Sequence, residues 1–478
     1  MSDVQAPGDV GEPPARRLAI LSFSSGEFDA RSFRVAGSAI AAGWDVVVYA
    51  RWYPGLAPSE QRDGYQLIRV DADPRQALPL IGGLVRRRRR EAILRAPVVG
   101  GRTDIVPPAK GPSVGPRAPA TVRRRFSGNP LTWPYRFSVR KLRGWRRMLA
   151  RWQTAVLMFP LRPLGWARAV EDVAEPAEIW HGMWAGSLPA LARLGRRHGG
   201  ATIYDSRDVY MLSRNFMSLE WPVRPLLARA ERRWAHQVDQ VLTVNDAYAG
   251  LIAGQLGVPR PPVVLNTPSH WTPPVPPPDR IREATGIPHE TFVILYQGQL
   301  MSQRGIEQSM QAILELPDAA LVLLGFGIWE EHLRDLAAAP PFAGRVFVLP
   351  AVTPEELLAW TASADVMVMP IQPTSTNHEF TTPQKLWEAI AAGVPVVASD
   401  LPGMAEIIGS EGIGALCDPT SPSSIAEAIR SLVGQPPEER AALRRHVLEV
   451  GHERYTWERQ SETLFELYGS LLPDLGHQ

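Results

Sequence analysis

The chain contains a single cysteine, Cys417, so no intrachain disulfide can form and no cysteine-based zinc cluster can be assembled. No uninterrupted apolar run reaches the about 18 residues that a membrane-spanning helix needs. The opening "MSDVQAPGDVGEPPARR" has no apolar signal core and reads as a disordered tail over residues 1–16. These absences fit a cytosolic chain. No cluster of carboxylates marks a metal site, and no cofactor is expected. Acids are almost missing from one long stretch. Between Arg86 and Arg168 there are 21 Lys and Arg against two acids, Glu91 and Asp104, a net of +19. The remaining residues carry 30 basic and 47 acidic groups, a net of −17, inside an overall balance of only +2. So uneven a distribution predicts that one face meets something anionic.

What is present is enough apolar sequence, 45% of 478 residues, for two cores. From Arg17, "RLAILSFSS", "ARSFRVAGSAIAAG" and "WDVVVYA" read as strand, helix and strand. Order resumes at "AEIWHGMWAGSLPALARLGRRHGGATIYDSRDVY" and continues to "PPVVLN". The proline-dense "TPSHWTPPVPPPDR" then reads as an interdomain linker. A second alternating series begins with "FVILYQGQL" and runs through "AALVLLGFG", "RVFVLPAV" and "DVMVMPI". Two blocks of alternating strands and helices predict an α/β protein of two doubly wound, Rossmann-like domains facing a cleft. The expected boundaries are 17–267 for the first domain with a basic insert at about 80–168, 268–280 for the linker, and 281–455 for the second domain. A last helix is expected over 456–478.

Ligands of open α/β sheets bind beyond the carboxyl ends of the strands. After "FVILYQ" come Gly298, Gln299 and Arg304; after "LVLLG" comes Gly325 in a lone Gly-x-Gly, a weak signal without a third glycine. In "EFTTPQKLWEAIAAGVPVVASD", Thr382 is a good N-cap and Pro383 suits a first helical position, predicting a helix from Pro383 to about Ala392. Its free amides would suit a diphosphate. Glu388 lies about 7–8 Å further along the axis, roughly the reach from a diphosphate to a ribose. Lys385 and Glu388 share a face, so they read either as an ordinary helix ion pair or as part of a ligand surface.

The stretches "GQLMSQRGIEQSMQAI", "LVLLGFG", "TPEELLAWTASADVMVMP" and "PQKLWEAIAAGVPVVASDLPGMAEII" resemble the nucleotide-sugar domain of family-4 glycosyltransferases, retaining enzymes of GT-B fold. "YTWERQSETLFELYGSLL" resembles the family's terminal helices, which implies that the helix over 456–478 returns to the first domain, and "FDARSFRVAGSAIAAGWDVVVYA", "AEIWHGMW", "YDSRDVY" and "VVLN" are weaker matches in the first half. The resemblance implies a GT-B enzyme that transfers a sugar from a nucleotide-sugar donor with retention, to a glycan or lipid-linked acceptor. It places Arg304 on the donor diphosphate and Glu388 on the ribose. Thr381, Thr382, Pro383, Lys385 and Leu386 fall around the donor phosphate and sugar, with Gly298, Gln299 and Gly325 beside them. Catalytic roles fall to Arg304, Lys385, His181 and Asp208, and acceptor contacts to Ser25, Gly26, His181, Arg207 and Asp208. The chain departs from the family pattern at Phe380, eight before Glu388, where an acid is usual. It departs also at Gln299, usually basic, and at Met183, usually histidine. In "YDSRD", Arg207 and Asp208 occupy the usual His-Glu positions. Two rivals follow: a sugar-nucleotide epimerase of the same fold, and a catalytically silent GT-B protein acting as a membrane-associated partner in glycan synthesis.

The basic insert reads as a solvated loop, a nucleic-acid arm or a membrane-docking segment. Nothing in it resembles a nucleic-acid module, and no nucleic-acid partner is expected. "RKLRGWRRMLARWQTAVLMF" mixes arginines with Trp, Leu, Met and Phe as interfacial segments do. The expectation is docking of about 86–168 on an anionic leaflet, with the protein peripheral on the cytoplasmic face of the plasma membrane.

Overall fold

The computed structural model describes residues 16–27, 29–77, 99–100 and 133–472. The expected N-terminal tail and the Pro/Gly-rich middle of the basic insert lie outside the described residues.

Eight strands make the first sheet: β1 (Arg17–Ser22), β2 (Asp45–Arg51), β3 (Ser59–Arg62), β4 (Tyr65–Val70), β5 (Val99–Gly100), β6 (Ile179–Met183), β7 (Ala201–Ser206) and β8 (Gln240–Thr243). Their order is β5-β3-β4-β2-β1-β6-β7-β8. All pairs are parallel except the β3–β4 hairpin, which turns at Asp63-Gly64 with both residues at positive φ. Six strands make the second sheet: β9 (Phe292–Gln299), β10 (Ala319–Phe326), β11 (Val346–Pro350), β12 (Val366–Met369), β13 (Val396–Ser399) and β14 (Gly414–Cys417). Their order, β11-β10-β9-β12-β13-β14, is parallel throughout. In each sheet the chain starts near the middle, winds to one side and then to the other. That leaves a crevice at the carboxyl ends of the strands, between β1 and β6 and between β9 and β12. The expected α/β, doubly wound fold is the one observed.

Strand interiors are apolar because helices cover both faces of each sheet. Leu18, Ile20, Ile179 and Ile203 meet one layer, and Leu21, Tyr49, Trp180 and Tyr204 the other. Each such side chain removed from water contributes about 1.5–3 kcal/mol. The chain passes between the sheets at 266–279 and again at 455–456. Beyond the second crossing, the helix Trp457–Leu471 packs Trp457, Leu464 and Tyr468 against Leu18, Ile20 and Ile179 of the first domain. Trp457 donates its backbone N–H to Pro268 O at 2.8 Å and its indole N–H to Ser38 Oγ at 2.8 Å.

Within the basic insert, the helix Trp133–Val156 leads through a kink at Phe159 into the helix Arg162–Glu171, whose Trp166 is fully buried. Among the described residues, no helix is long and apolar enough to cross a membrane.

Candidate active site

At the carboxyl edge of the second sheet the backbone forms a close floor. Gly298, next to last in β9, lies beside Gly325 of β10, and a Cβ at Gly325 would lie 1.9 Å from Gly298 O. Gly305, at φ +70, leaves no room either, since a Cβ there would meet Pro370 O at 2.1 Å. Gly298 and Gln299 are exposed on this floor, and Gln299 O accepts from the Tyr296 hydroxyl at 2.9 Å.

Beside the floor lie two cations that make no salt bridge among the described residues. Arg304 is half-buried just before the helix Ile306–Ile313, and among the described residues it makes no hydrogen bond or ion pair. Lys385 sits in the first turn of the helix Gln384–Ala391. Its Nζ is buried without a hydrogen-bond partner, 3.9 Å from the centroid of the Tyr296 ring. Burial, and then the charge of Arg304, push its pKa down to about 7. No ion pair joins Lys385 to Glu388, so the two do not form the ordinary helix pair. Glu388 is buried one turn on. Its Oε2 accepts from Gln297 Nε2 at 2.5 Å, and Gln297 Oε1 accepts from the Thr361 hydroxyl at 2.8 Å. Burial raises the pKa of Glu388, while the Gln297 hydrogen bond and the charges of Arg34 and Lys385 oppose that. Arg34 comes from the first domain. It donates to Asn266 Oδ1 at 2.5 Å and has a buried, unpartnered Nε.

The start of this helix differs from the sequence expectation. It opens at Gln384, with Pro383 in extended conformation as the cap residue and no side-chain cap. Thr382 does not cap it; its hydroxyl instead accepts from Asn245 Nδ2 at 3.0 Å. Proline cannot donate a backbone hydrogen bond, so placing it one residue earlier costs the helix nothing. Leu386 faces away from the cleft. Its side chain is fully buried in the second domain, and its N–H is taken by Pro383 O at 2.9 Å. Thr381 is half-buried between these positions and Phe380.

On the first domain, Asp208 follows β7 and its Oδ1 accepts from Asn377 Nδ2 at 2.8 Å. Burial raises its pKa, while the Asn377 bond and the charges of Arg207 and Arg304 work the other way. Arg207 is engaged within the domain: it donates to Asp29 Oδ1 at 2.6 Å and stacks 4.2 Å above Trp184. Burial works against the charge of Asp29, yet Arg207 holds its pKa well below the usual carboxylate range. Ser25 and Gly26 lie in the loop after β1, which Arg62 and Arg69 clamp through Gly26 O at 3.1 Å and Ser25 O at 3.0 Å. Ser25 is half-buried and Gly26 is buried against Leu67 and Ala50.

His181 does not reach the cleft. It is fully buried, with Nδ1 2.6 Å from the Tyr468 hydroxyl and Nε2 3.4 Å from Asp205 Oδ2, which itself pairs with Arg31 at 2.5 Å. Burial lowers its pKa. The terminal helix covers this position, so its setting is that of a core hydrogen bonder rather than an acceptor contact.

The segment Ser375–Thr382 of the second domain is gripped by the first. Val209 N donates to Asn377 Oδ1 at 2.9 Å, the Tyr248 hydroxyl to Asn377 O at 2.7 Å, and Asn245 Nδ2 to Phe380 O at 3.2 Å. Phe380, where an acid is usual in the resembling family, packs on the first domain's core. Sequence reasoning missed Asn377, Tyr248, Gln297 and Arg34. Asn245 had a local signal as the cap of the helix Asp246–Leu256, which it also is. The others had none.

Two Rossmann-like domains closing on a cleft with a cationic floor define the GT-B class of fold. Residues 278–447 match the family model described as Glycosyl transferases group 1. The chain is 29% identical over 272 residues to the GDP-mannose-dependent alpha-(1-6)-phosphatidylinositol monomannoside mannosyltransferase of Mycolicibacterium smegmatis, covering 54% of this chain and 67% of that one. It is 30% identical over 202 residues to an uncharacterized glycosyltransferase of Methanocaldococcus jannaschii, covering 41% and 49%. The chain thus spans about half to two thirds of the length of these curated relatives. Sucrose-phosphate synthase from Thermosynechococcus elongatus superposes with a TM-score of 0.66 over 95% of this chain and 99% of that one, at 15% identity. A likeness at that identity speaks for the fold.

Proposed function

We propose that this protein is a retaining glycosyltransferase that moves a sugar from a nucleotide-sugar donor to a glycan or lipid-linked acceptor. The observation that carries this reading is the pair Arg304 and Lys385, two cations that make no salt bridge among the described residues, beside a glycine floor, with Glu388 held one turn away by Gln297. Unpaired cations in a partly dry cleft are strong ligands for a diphosphate and stabilise the negative charge that develops as it leaves. Glu388 accepts from the ribose hydroxyls. The acceptor enters from the Asp208 side and attacks from the face the diphosphate leaves, so no protein nucleophile is needed. The family-model match over 278–447 and the likeness to a curated mannosyltransferase add support.

The test is thermal stabilisation by a panel of UDP-, GDP-, ADP- and dTDP-sugars. One donor at a hundredfold excess over its Kd should add about 2.7 kcal/mol to stability. Glu388→Ala and Arg304→Ala should abolish that shift without lowering the melting temperature of the empty protein. Turnover should survive EDTA, since Arg304 and Lys385 neutralise the diphosphate. Stabilisation by no donor would sink the enzyme reading and leave the silent-partner one.

Docking to an anionic leaflet on the cytoplasmic face belongs to the same proposal. Trp145, Leu149 and Met158 of the insert are exposed, beside Arg146, Arg147 and Arg151. Arg151 and Trp152 both hold Glu220 at 3.0 Å, next to Trp221, which is 82% exposed. Exposed tryptophans among arginines suit an interface between water and anionic lipid. Cosedimentation with phosphatidylglycerol vesicles should exceed that with phosphatidylcholine, fall with salt, and weaken in Trp145→Ser/Trp221→Ser. Equal binding to both vesicles would count against it.

A further inference from the structure

Arg51 is the last residue of β2, at the carboxyl edge of the first sheet. Its guanidinium carbon lies 4.6 Å from the centroid of the Tyr53 ring and 5.3 Å from that of Phe23. Among the described residues no acid pairs with this half-buried group. A second cation, Arg162, opens the helix Arg162–Glu171, and among the described residues its side chain donates only to Met158 Sδ at 3.3 Å. One turn further on, Trp166 fixes the helix by donating to Ala50 O at 3.3 Å and packing edge-on against Phe23 at 5.4 Å. Helices between parallel strands run back along the sheet, so this one starts at the same carboxyl edge that Arg51 occupies. Burial lowers the Arg51 pKa and the charge of Arg162 lowers it further.

The charge of Asp73 reaches Arg162, but the nearby acids have salt-bridge partners of their own. Glu27 and Glu60 pair with Arg62 and Arg69, and Asp73 with Arg75. Among the described residues neither Arg51 nor Arg162 makes a salt bridge, and two such cations at one sheet edge are costly; an anion between them relieves that cost. To one side, the Ser22 and Ser24 hydroxyls, 2.8 Å apart, lead toward Asp29 and Arg207 at the cleft. To the other side lies the helical arm with exposed Met158, Leu149 and Trp145.

We propose that Arg51 and Arg162, beside the Tyr53 ring, bind a phosphoester group of the acceptor, set between the hydroxyl that receives the sugar and an apolar tail lying along the arm. This rests on the glycosyl-transfer reading above and narrows its acceptor to a phosphate-bearing amphiphile.

The full chain is titrated with phosphatidic acid in neutral dodecyl maltoside micelles, with glycerol 1-phosphate and with glycerol. Whichever nucleotide stabilises the protein fills the donor pocket. Arg51→Gln/Arg162→Gln should weaken phosphoester binding by about tenfold or more, with nucleotide stabilisation and melting temperature unchanged. Arg51→Lys/Arg162→Lys, which keeps the charge, should retain most of the binding and separates loss of an anion site from loss of packing. Phosphatidic acid held far more tightly than glycerol 1-phosphate identifies a lipid headgroup; equal affinity identifies a free phosphoester; either supports the site. Phosphoesters bound no better than glycerol, or equally by wild type and the glutamine variant, overturn it. If no nucleotide stabilises the protein, the glycosyl-transfer reading fails separately, and the phosphoester titration is read without nucleotide.

Discussion

Lys385 Nζ has no acceptor, rests on an aromatic face and shares its cleft with Arg304, which is why its pKa falls to about 7 in the empty protein. Two consequences have definite signs. In folding, the unfolded lysine keeps its proton to a higher pH than the folded one. Between pH 7 and its ordinary value of 10.5 the unfolded state therefore binds more protons, and stability rises with pH through that window. In binding, a diphosphate raises the Lys385 pKa again, so donor binding takes up a proton above pH 7. Affinity should be highest below about pH 7 and fall by at most about tenfold per pH unit above it. Calorimetry in buffers of different ionisation enthalpy measures the uptake. Lys385→Met should remove it, and proton uptake that persists in this variant would show that another group titrates. This lysine was legible in the sequence as part of a ligand face, because a basic residue at a helix start beside a Gly-turn motif has a local pattern. Its lack of an acidic partner was not, since that depends on where Tyr296, Arg304 and Glu388 meet in space.

The element that joins the two domains at the site is the segment Ser375–Thr382. Asn377 alone engages Val209 N, Asp208 Oδ1 and the Tyr248 hydroxyl, and Asn245 holds Phe380 O and Thr382 Oγ1. A net worth of about 1 kcal/mol per hydrogen bond makes this a latch of a few kcal/mol. Asn377→Ala should speed amide exchange over 375–382 and expand the molecule in small-angle scattering, with each domain's own exchange pattern intact. Unchanged exchange in that segment would mean that other contacts close the cleft. Helices and strands were readable here from period and caps, but the latch was not. A loop asparagine carries no periodic signal, and its partners lie 129 to 169 residues away in sequence. The β3–β4 hairpin went unpredicted although Asp63-Gly64 is a strong turn signal, because the strands beside it are short and half polar.

At the scale of the whole molecule, the terminal helix Trp457–Leu471 makes the first domain depend on the end of the chain. Trp457→Ala should cost about 3–5 kcal/mol as the removal of a large buried side chain. Tyr468→Phe leaves His181 Nδ1 without its 2.6 Å partner, at about 1–3 kcal/mol. Urea unfolding followed by first-domain tryptophan fluorescence measures both. A loss confined to the second domain would contradict the packing. Two doubly wound domains and the glycine turns after β9 and β10 were determined by the sequence itself, because local period and turn residues fix them. Only the tertiary structure decided that His181 is a core residue rather than an acceptor contact, that Leu386 faces inward, and that Arg51 and Arg162 lie at one sheet edge without a salt bridge among the described residues. Those facts depend on which side chains burial brings together across hundreds of residues, where desolvation and unpaired charge set the chemistry and no local pattern records them.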